Sequence, residues 1–194
     1  MSARATLLRL GADMDPTPVC HVWLSVVVHM CGACCMYTQN EEESAAVQQN
    51  CMAALACLAR HPKQQDKIAL TPGGLTALVD GMWAHQGDAA VQLAGMTVLN
   101  NVGQEINNQA IICKTAGAVS TIVAGMEANM GAEVQEMGVT VLCQLGVTQA
   151  EAITATKGAV AAILAALSAH PRAKNVQYYG ERVLGWLANE PGTC

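Results

Sequence analysis

Four soft metal ligands, His29, Cys31, Cys34 and Cys35, fall within one short stretch of this chain. Imidazole and thiolate at that spacing suit zinc, but a structural zinc site normally draws a second pair of ligands from a distance. No second Cys-x-x-Cys and no His-x3-His is found, so crowding of cysteine in an apolar stretch is the simpler reading. No metal or other cofactor is expected. His85 and His170 stand three residues after Met82 and Leu167, where another copy of the same pattern has Asn129. A His or Asn at such a place caps a helix C-terminus more readily than it serves as a base. Glu41, Glu42 and Glu43 open a predicted helix, where the macrodipole favours carboxylates. Acid–base catalysis would need a second group held across a cleft. Neither Gly-x-Ser-x-Gly, a phosphate loop nor Gly-x-Gly-x-x-Gly occurs, so no catalytic residue is predicted and no enzyme is expected.

Chemistry of recognition is easier to place. Tyr178, Tyr179 and Trp186 are half of the six aromatic residues, and they gather with Arg182 on the last predicted helix. Such a group either covers the final stretch of core or forms a binding hot spot. A net charge of −5 with no cluster of Lys or Arg argues against a nucleic-acid partner, which needs a basic face. Only 3% of residues are aromatic and none is Phe, which leaves no base-stacking platform. The nine cysteines are scattered apart from the group near residue 31, and copies of the repeat described next do not share them. That distribution suits a small apolar filler in a reducing, cytoplasmic compartment.

The elements that position these residues repeat. Val47-Gln48, Val91-Gln92, Val134-Gln135 and Val176-Gln177 recur at 42 to 44 residues, each followed by a small residue (Cys51, Gly95, Gly138, Gly180) and then by leucine (Leu55, Leu99, Leu142, Leu184). A fixed period of that size signals a solenoid. With 52% hydrophobic and 13% charged residues, the chain can fill a continuous core. Each period reads as three helical pieces. The first is short and polar at its start, as in Gln65-Asp66-Lys67-Ile68. The second follows Gly73, Gly117 or Gly158, a glycine suited to positive φ, with Thr71, Thr115 and Thr156 two residues earlier. Its apolar residues return at helical spacing: Leu75, Leu78 and Met82, then Val119, Ile122 and Met126, then Val160, Ile163 and Leu167. The third piece is the Val-Gln helix, where a recurrent glycine predicts close approach of a neighbouring helix.

A short helix, a medium helix opening at Gly-Ala, and a longer helix ending in Leu-x-x-Leu resemble the armadillo repeat over roughly residues 40 to 194. Ala116-Gly117-Ala118-Val119 is similar to the family's Ala-Gly-Ala-Leu, and Leu99-Asn100-Asn101-Val102 to its Leu-x-Asn-Leu. The three-piece period favours this family over the related HEAT type. The resemblance implies an all-α fold, a right-handed α-solenoid of about three repeats plus a partial first one, whose third helices line a groove for extended peptides. One domain would span 1–194: a partial repeat at 1–60 interrupted by an apolar insert at 19–39, then repeats at 61–104, 105–147 and 148–194. By phase the groove positions would be Asn50, Ala53 and Cys57; Ala94, Thr97 and Asn101; Met137, Thr140 and Gln144; and Tyr179, Arg182 and Trp186. Family members of nuclear-import type carry a Trp–Asn pair on each third helix. Here Ala53, Thr97, Thr140 and Arg182 hold the Trp place and only Asn101 holds the Asn place, so basic localisation signals are not the expected ligand.

Residues 19–39 break the rhythm and carry no Asp, Glu, Lys or Arg. Val19 to Tyr37 is just long enough to cross a membrane, with Arg4 and Arg9 upstream, but His21 and His29 are polar and Asp13 and Asp15 oppose the expected flank. The metal reading is the one given above. The third reading is an insertion: deleting 19–39 brings Leu7, Leu10 and Met14 into line with Leu75, Leu78 and Met82. Its Val start and Gln end fit a translated intron, and its expected folded form is an extra apolar helix covering the first edge of the array.

The function expected is that of a non-enzymatic protein-interaction module or scaffold. Its partner would be another protein, bound by Thr97, Asn101, Thr140 and Gln144 in the groove or by Tyr179, Arg182 and Trp186 at the far end. No polar capping repeat is evident after that end, so self-association through the C-terminal edge, or a longer array, is the accompanying expectation. A membrane-tethered adaptor anchored by 19–37, and a space-filling subunit of a large assembly, are the alternatives.

Overall fold

The computed structural model describes residues 41–188, with side chains from residue 45 onward. The His29–Cys35 ligands, the insert at 19–39 with its membrane, metal and intron readings, and the alignment of Leu7, Leu10 and Met14 lie outside the described residues. Those residues are all-α. Their helices are α1 Glu41–Ala59, α2 Pro62–Leu70, α3 Gly74–Ala84, α4 Ala89–Val102, α5 Ile106–Lys114, α6 Ala118–Ala128, α7 Ala132–Thr154, α8 Ala159–Ala169 and α9 Lys174–Ala188.

Local chemistry explains where these helices begin and end. Pro62 opens α2, where its missing N–H costs nothing. Asp88 Oδ1 caps α4 by accepting from the Ala90 and Val91 amides at 2.9 and 3.1 Å. Gly73, Gly117 and Gly158 precede α3, α6 and α8 with φ of 73°, 79° and 87°, the left-handed backbone that their spacing predicts. The threonine two residues earlier closes the preceding helix each time. Thr71, Thr115 and Thr156 donate their hydroxyls to the Lys67, Ile111 and Ala152 carbonyls at 2.6, 3.0 and 2.8 Å.

Packing follows the period. Long helices neighbour long helices (α1 with α4, α4 with α7, α7 with α9), and medium helices neighbour medium helices (α3 with α6, α6 with α8). Met52, Leu55, Met82, Met96, Leu99, Met126 and Leu142 belong to one connected core. The recurrent glycine of the long helix marks the predicted close approach. A Cβ added at Gly95 or Gly138 would lie 2.5 Å from the Sδ of Met82 or Met126, and one at Gly180 would lie 2.6 Å from Leu167 Cδ2. Helix-interior glycine costs roughly 1 kcal/mol against alanine. Contact between the two helix backbones and a large side chain offsets that cost.

The glutamines of the last three Val-Gln pairs have a function that the spacing alone does not reveal. Gln92 Nε2 donates to the Met82 and His85 carbonyls at 2.6 and 3.0 Å. Gln135 does the same for Met126 and Asn129 at 2.6 and 2.8 Å, and Gln177 for Leu167 and His170 at 2.8 and 3.1 Å. Each amide thus adds a side-chain donor to the carbonyls at the end of the medium helix before it.

At the start of the last period the long and short pieces follow one another more closely than before. From Val47 to Thr71 and from Val91 to Thr115 is 24 residues, but from Val134 to Thr156 is 22. In the first two cases polar side chains turn back onto the end of the long helix. Gln65 donates to Ala59 O at 3.1 Å, Asn108 to Val102 O at 3.2 Å and Gln109 to Gly103 O at 3.0 Å. The place of Gln109 is taken by Ala150, which cannot cap. The long and short pieces of α7 are therefore joined without a loop, and a kink at Gln149 (φ −132°, ψ 35°) separates them close to the expected boundary between 147 and 148.

Gln135→Leu would leave two carbonyls without their donor beside a fully buried position. It is expected to cost about 1–3 kcal/mol, seen as a lower urea midpoint at unchanged slope. Gln177→Leu, at a half-buried site, should cost less.

Candidate interaction surface

Each long helix packs on the next, and the predicted groove positions lie on these four helices. Asn50, Ala53, Cys57, Arg182 and Trp186 are exposed, and Ala94, Thr97, Asn101, Met137, Thr140, Gln144 and Tyr179 are half-buried. Their polar groups are partly committed to the fold. Thr97 and Thr140 donate to the Leu93 and Glu136 carbonyls at 2.6 and 2.7 Å, leaving methyl groups as the outward chemistry. Asn101 Nδ2 donates to Ala56 O at 3.0 Å and so ties α4 to α1. Gln144 Oε1 is buried with no hydrogen-bond partner, beside Gly103, where an added Cβ would lie 3.4 Å away. A buried acceptor in that condition is destabilising and uncommon.

Tyr178, Arg182 and Trp186 form a single stripe on α9, at the i, i+4, i+8 spacing of one helix face. Arg182 donates to the Tyr178 hydroxyl at 2.6 Å, and its guanidinium lies 5.3 Å from the Tyr178 ring centroid and 5.9 Å from that of Trp186. Tyr179 meets Tyr178 edge-on at 5.1 Å and packs against the core. Tyr178 is largely in solvent, whereas Tyr179 and one side of Trp186 lie against buried residues. The Trp186 indole rests over Gly146 of α7, 3.6 Å from an added Cβ. Beneath it, burial raises the Cys143 pKa above the usual thiol value, while the Arg182 charge and the Trp186 indole oppose that shift.

The remaining candidates are structural. His85, Asn129 and His170 are the C-cap residues of α3, α6 and α8, as their spacing predicts. Asn129 also donates to Gln86 O at 2.6 Å, and a His170 ring nitrogen lies 3.0 Å from Met130 O, so each joins its helix end to the previous period. No group of three or more His, Cys, Asp and Glu is placed to hold a metal among the described residues. Cys51, Cys57, Cys113 and Cys143 form no disulfide. Among the described residues no single helix is long and apolar enough to cross a membrane. A scan against protein-family models finds no match, and searches of curated proteins and of solved structures find none.

Burial pushes the Cys113 thiol up to about 11, so at pH 8 roughly one molecule in a thousand carries the reactive thiolate there. Alkylation at pH 8 followed by peptide mass analysis should label the exposed Cys57 well before Cys113 and Cys143. The Cys113 rate should go on rising tenfold per pH unit up to about 11.

Proposed function

We propose that this chain is an armadillo-type α-solenoid of about three repeats plus a partial first one, and that it works as a non-enzymatic protein-interaction module. The ligand is an extended protein segment laid across the outward faces of α1, α4, α7 and α9. The observation that carries this reading is the accessibility of equivalent positions on four successively packed long helices, beside neighbours that are buried. The ends of this face differ in chemistry. Across α1, α4 and α7 it offers Ala53, Ala94, Thr97, Thr140 and Met137, small or flexible side chains that suit backbone approach. On α9 it offers an arginine already held against two rings, which has less freedom to lose on binding. Arg182 is the one charged residue among the twelve groove positions, so a run of basic residues is not the ligand that this face would select. The scatter of cysteines, which the repeats do not share, is consistent with a reducing, cytoplasmic setting.

Affinity capture with the full chain, beside Thr97→Arg/Thr140→Arg and Tyr179→Ala/Trp186→Ala, tests the proposal. Both variants are expected to keep the wild-type circular dichroism and lose the same protein partner. Equal capture of that partner by all three proteins would end the groove reading. Loss in the second variant alone would confine binding to α9.

A further inference from the structure

A second surface, independent of the groove, emerges from comparing equivalent positions. Val160 and Leu164 on α8 are 40% and 51% exposed, whereas their counterparts Leu75 and Val79 on α3 are 4% and 3% exposed, and Val119 and Val123 on α6 are 6% and 3%. The cover in the earlier periods is the next medium helix. A Cβ on Gly117, at the start of α6, would lie 3.6 Å from Val79 Cγ1, and one on Gly158, at the start of α8, would lie 3.6 Å from Val123 Cγ1. The same medium helix also meets the long helix. An added Cβ at Gly125 of α6 lies 3.0 Å from Met96 Cε of α4, and one at Gly81 of α3 lies 3.0 Å from Met52 Cε of α1. A covering helix thus starts at the aliphatic pair and reaches the methionine eight residues on, from Gly117 to Gly125.

One residue changes at the α8–α9 surface. Counting five from the valine of each Val-Gln pair gives Met52, Met96 and Val139, all fully buried, and then Glu181, which is exposed. Sequence reading finds no polar cap at this end, but the register places a carboxylate where earlier periods insert an apolar side chain. An apolar helix of the earlier kind seated here would bury that carboxylate without a partner, which is strongly unfavourable. We infer that α8 and Glu181 form a docking site for one amphipathic helix of another protein, its apolar stripe on Val160 and Leu164 and a Lys or Arg about two turns from its start meeting Glu181.

The test uses the 194-residue chain with methyl labels read by NMR, and synthetic peptides of residues 115–130, which contain α6, the native cover of Val79. Three forms are compared: unmodified, Gly125→Lys and Gly125→Glu. The Lys form should shift the Val160 and Leu164 methyl signals and bind about tenfold or more tightly than the Glu form, as a buried charge pair demands. Glu181→Met should transfer the preference to the unmodified peptide, and Leu164→Glu should abolish binding of every form. Equal affinity for the Lys and Glu forms, or no shift at Val160 and Leu164 with any peptide, would overturn the inference. So would sedimentation showing a wild-type dimer that Leu164→Glu dissociates, since the occupant would then be a second copy, or the same methyl shifts on deleting 189–194, since it would then be the chain itself.

Discussion

One side chain per period holds the helices of this protein in register. Gln92, Gln135 and Gln177 enter or border the core, where an unpaired amide would be costly, and the nitrogen of each closes the end of the medium helix before it. The oxygen of Gln92 faces the medium helix of the following period at Gly125, where any Cβ would collide with it. That oxygen is buried and accepts no hydrogen bond, so its position is imposed by the nitrogen's bonds to two carbonyls. A single carboxamide therefore fixes how two helices of one period meet and how closely the next period comes. Glycine at positions 95 and 125 is what those two approaches require, in helices that would otherwise favour alanine.

A second tier of polar links runs between periods at the helix ends. Asn108 donates to Asp66 at 3.2 Å, Thr148 to Gln109 at 2.6 Å and Asn175 to Glu136 at 2.7 Å. These are short neutral or singly charged bonds at half-buried and exposed sites, worth about 1 kcal/mol each. They set alignment and leave the bulk of cohesion to the apolar contacts. Against this regular frame two places stand out. Gln144 has a buried acceptor without a donor, and Arg182 is suspended between two rings in solvent. Both lie among the predicted groove positions, on the adjacent helices α7 and α9.

The fold was legible to the extent that it depended on pattern. Helical spacing of apolar residues, glycines ahead of the medium helices and threonines before them all report local energetics, and the positive φ values and hydroxyl bonds at those residues follow. The glycines of the long helices were readable as close contacts because their helical cost needs a reason. The missing loop within α7 was written in the shorter spacing between Val134 and Thr156 and in the alanine at 150. It reads as a kink in place of a loop only once the lost cap is known to be Gln109's bond to Gly103. Of the predicted groove residues, the spacing gave their common face but not their partners: Asn101 is tied to Ala56 and the two threonines to their own helix.

The sequence by itself determined the period, the helical class and the positions that point inward, because each of these is a property of neighbours within a few turns. Only the tertiary structure decided what the inward glutamines do, which aromatics remain in solvent and which aliphatic residues on α8 lack a cover. Those outcomes depend on distances between helices some 40 residues apart. A repeated letter says that two places are alike, but exposure differs between them when one has a following helix packed upon it and the other does not. Val123 and Leu164 occupy the same place in the pattern, and the structure alone separates a buried contact from an open one.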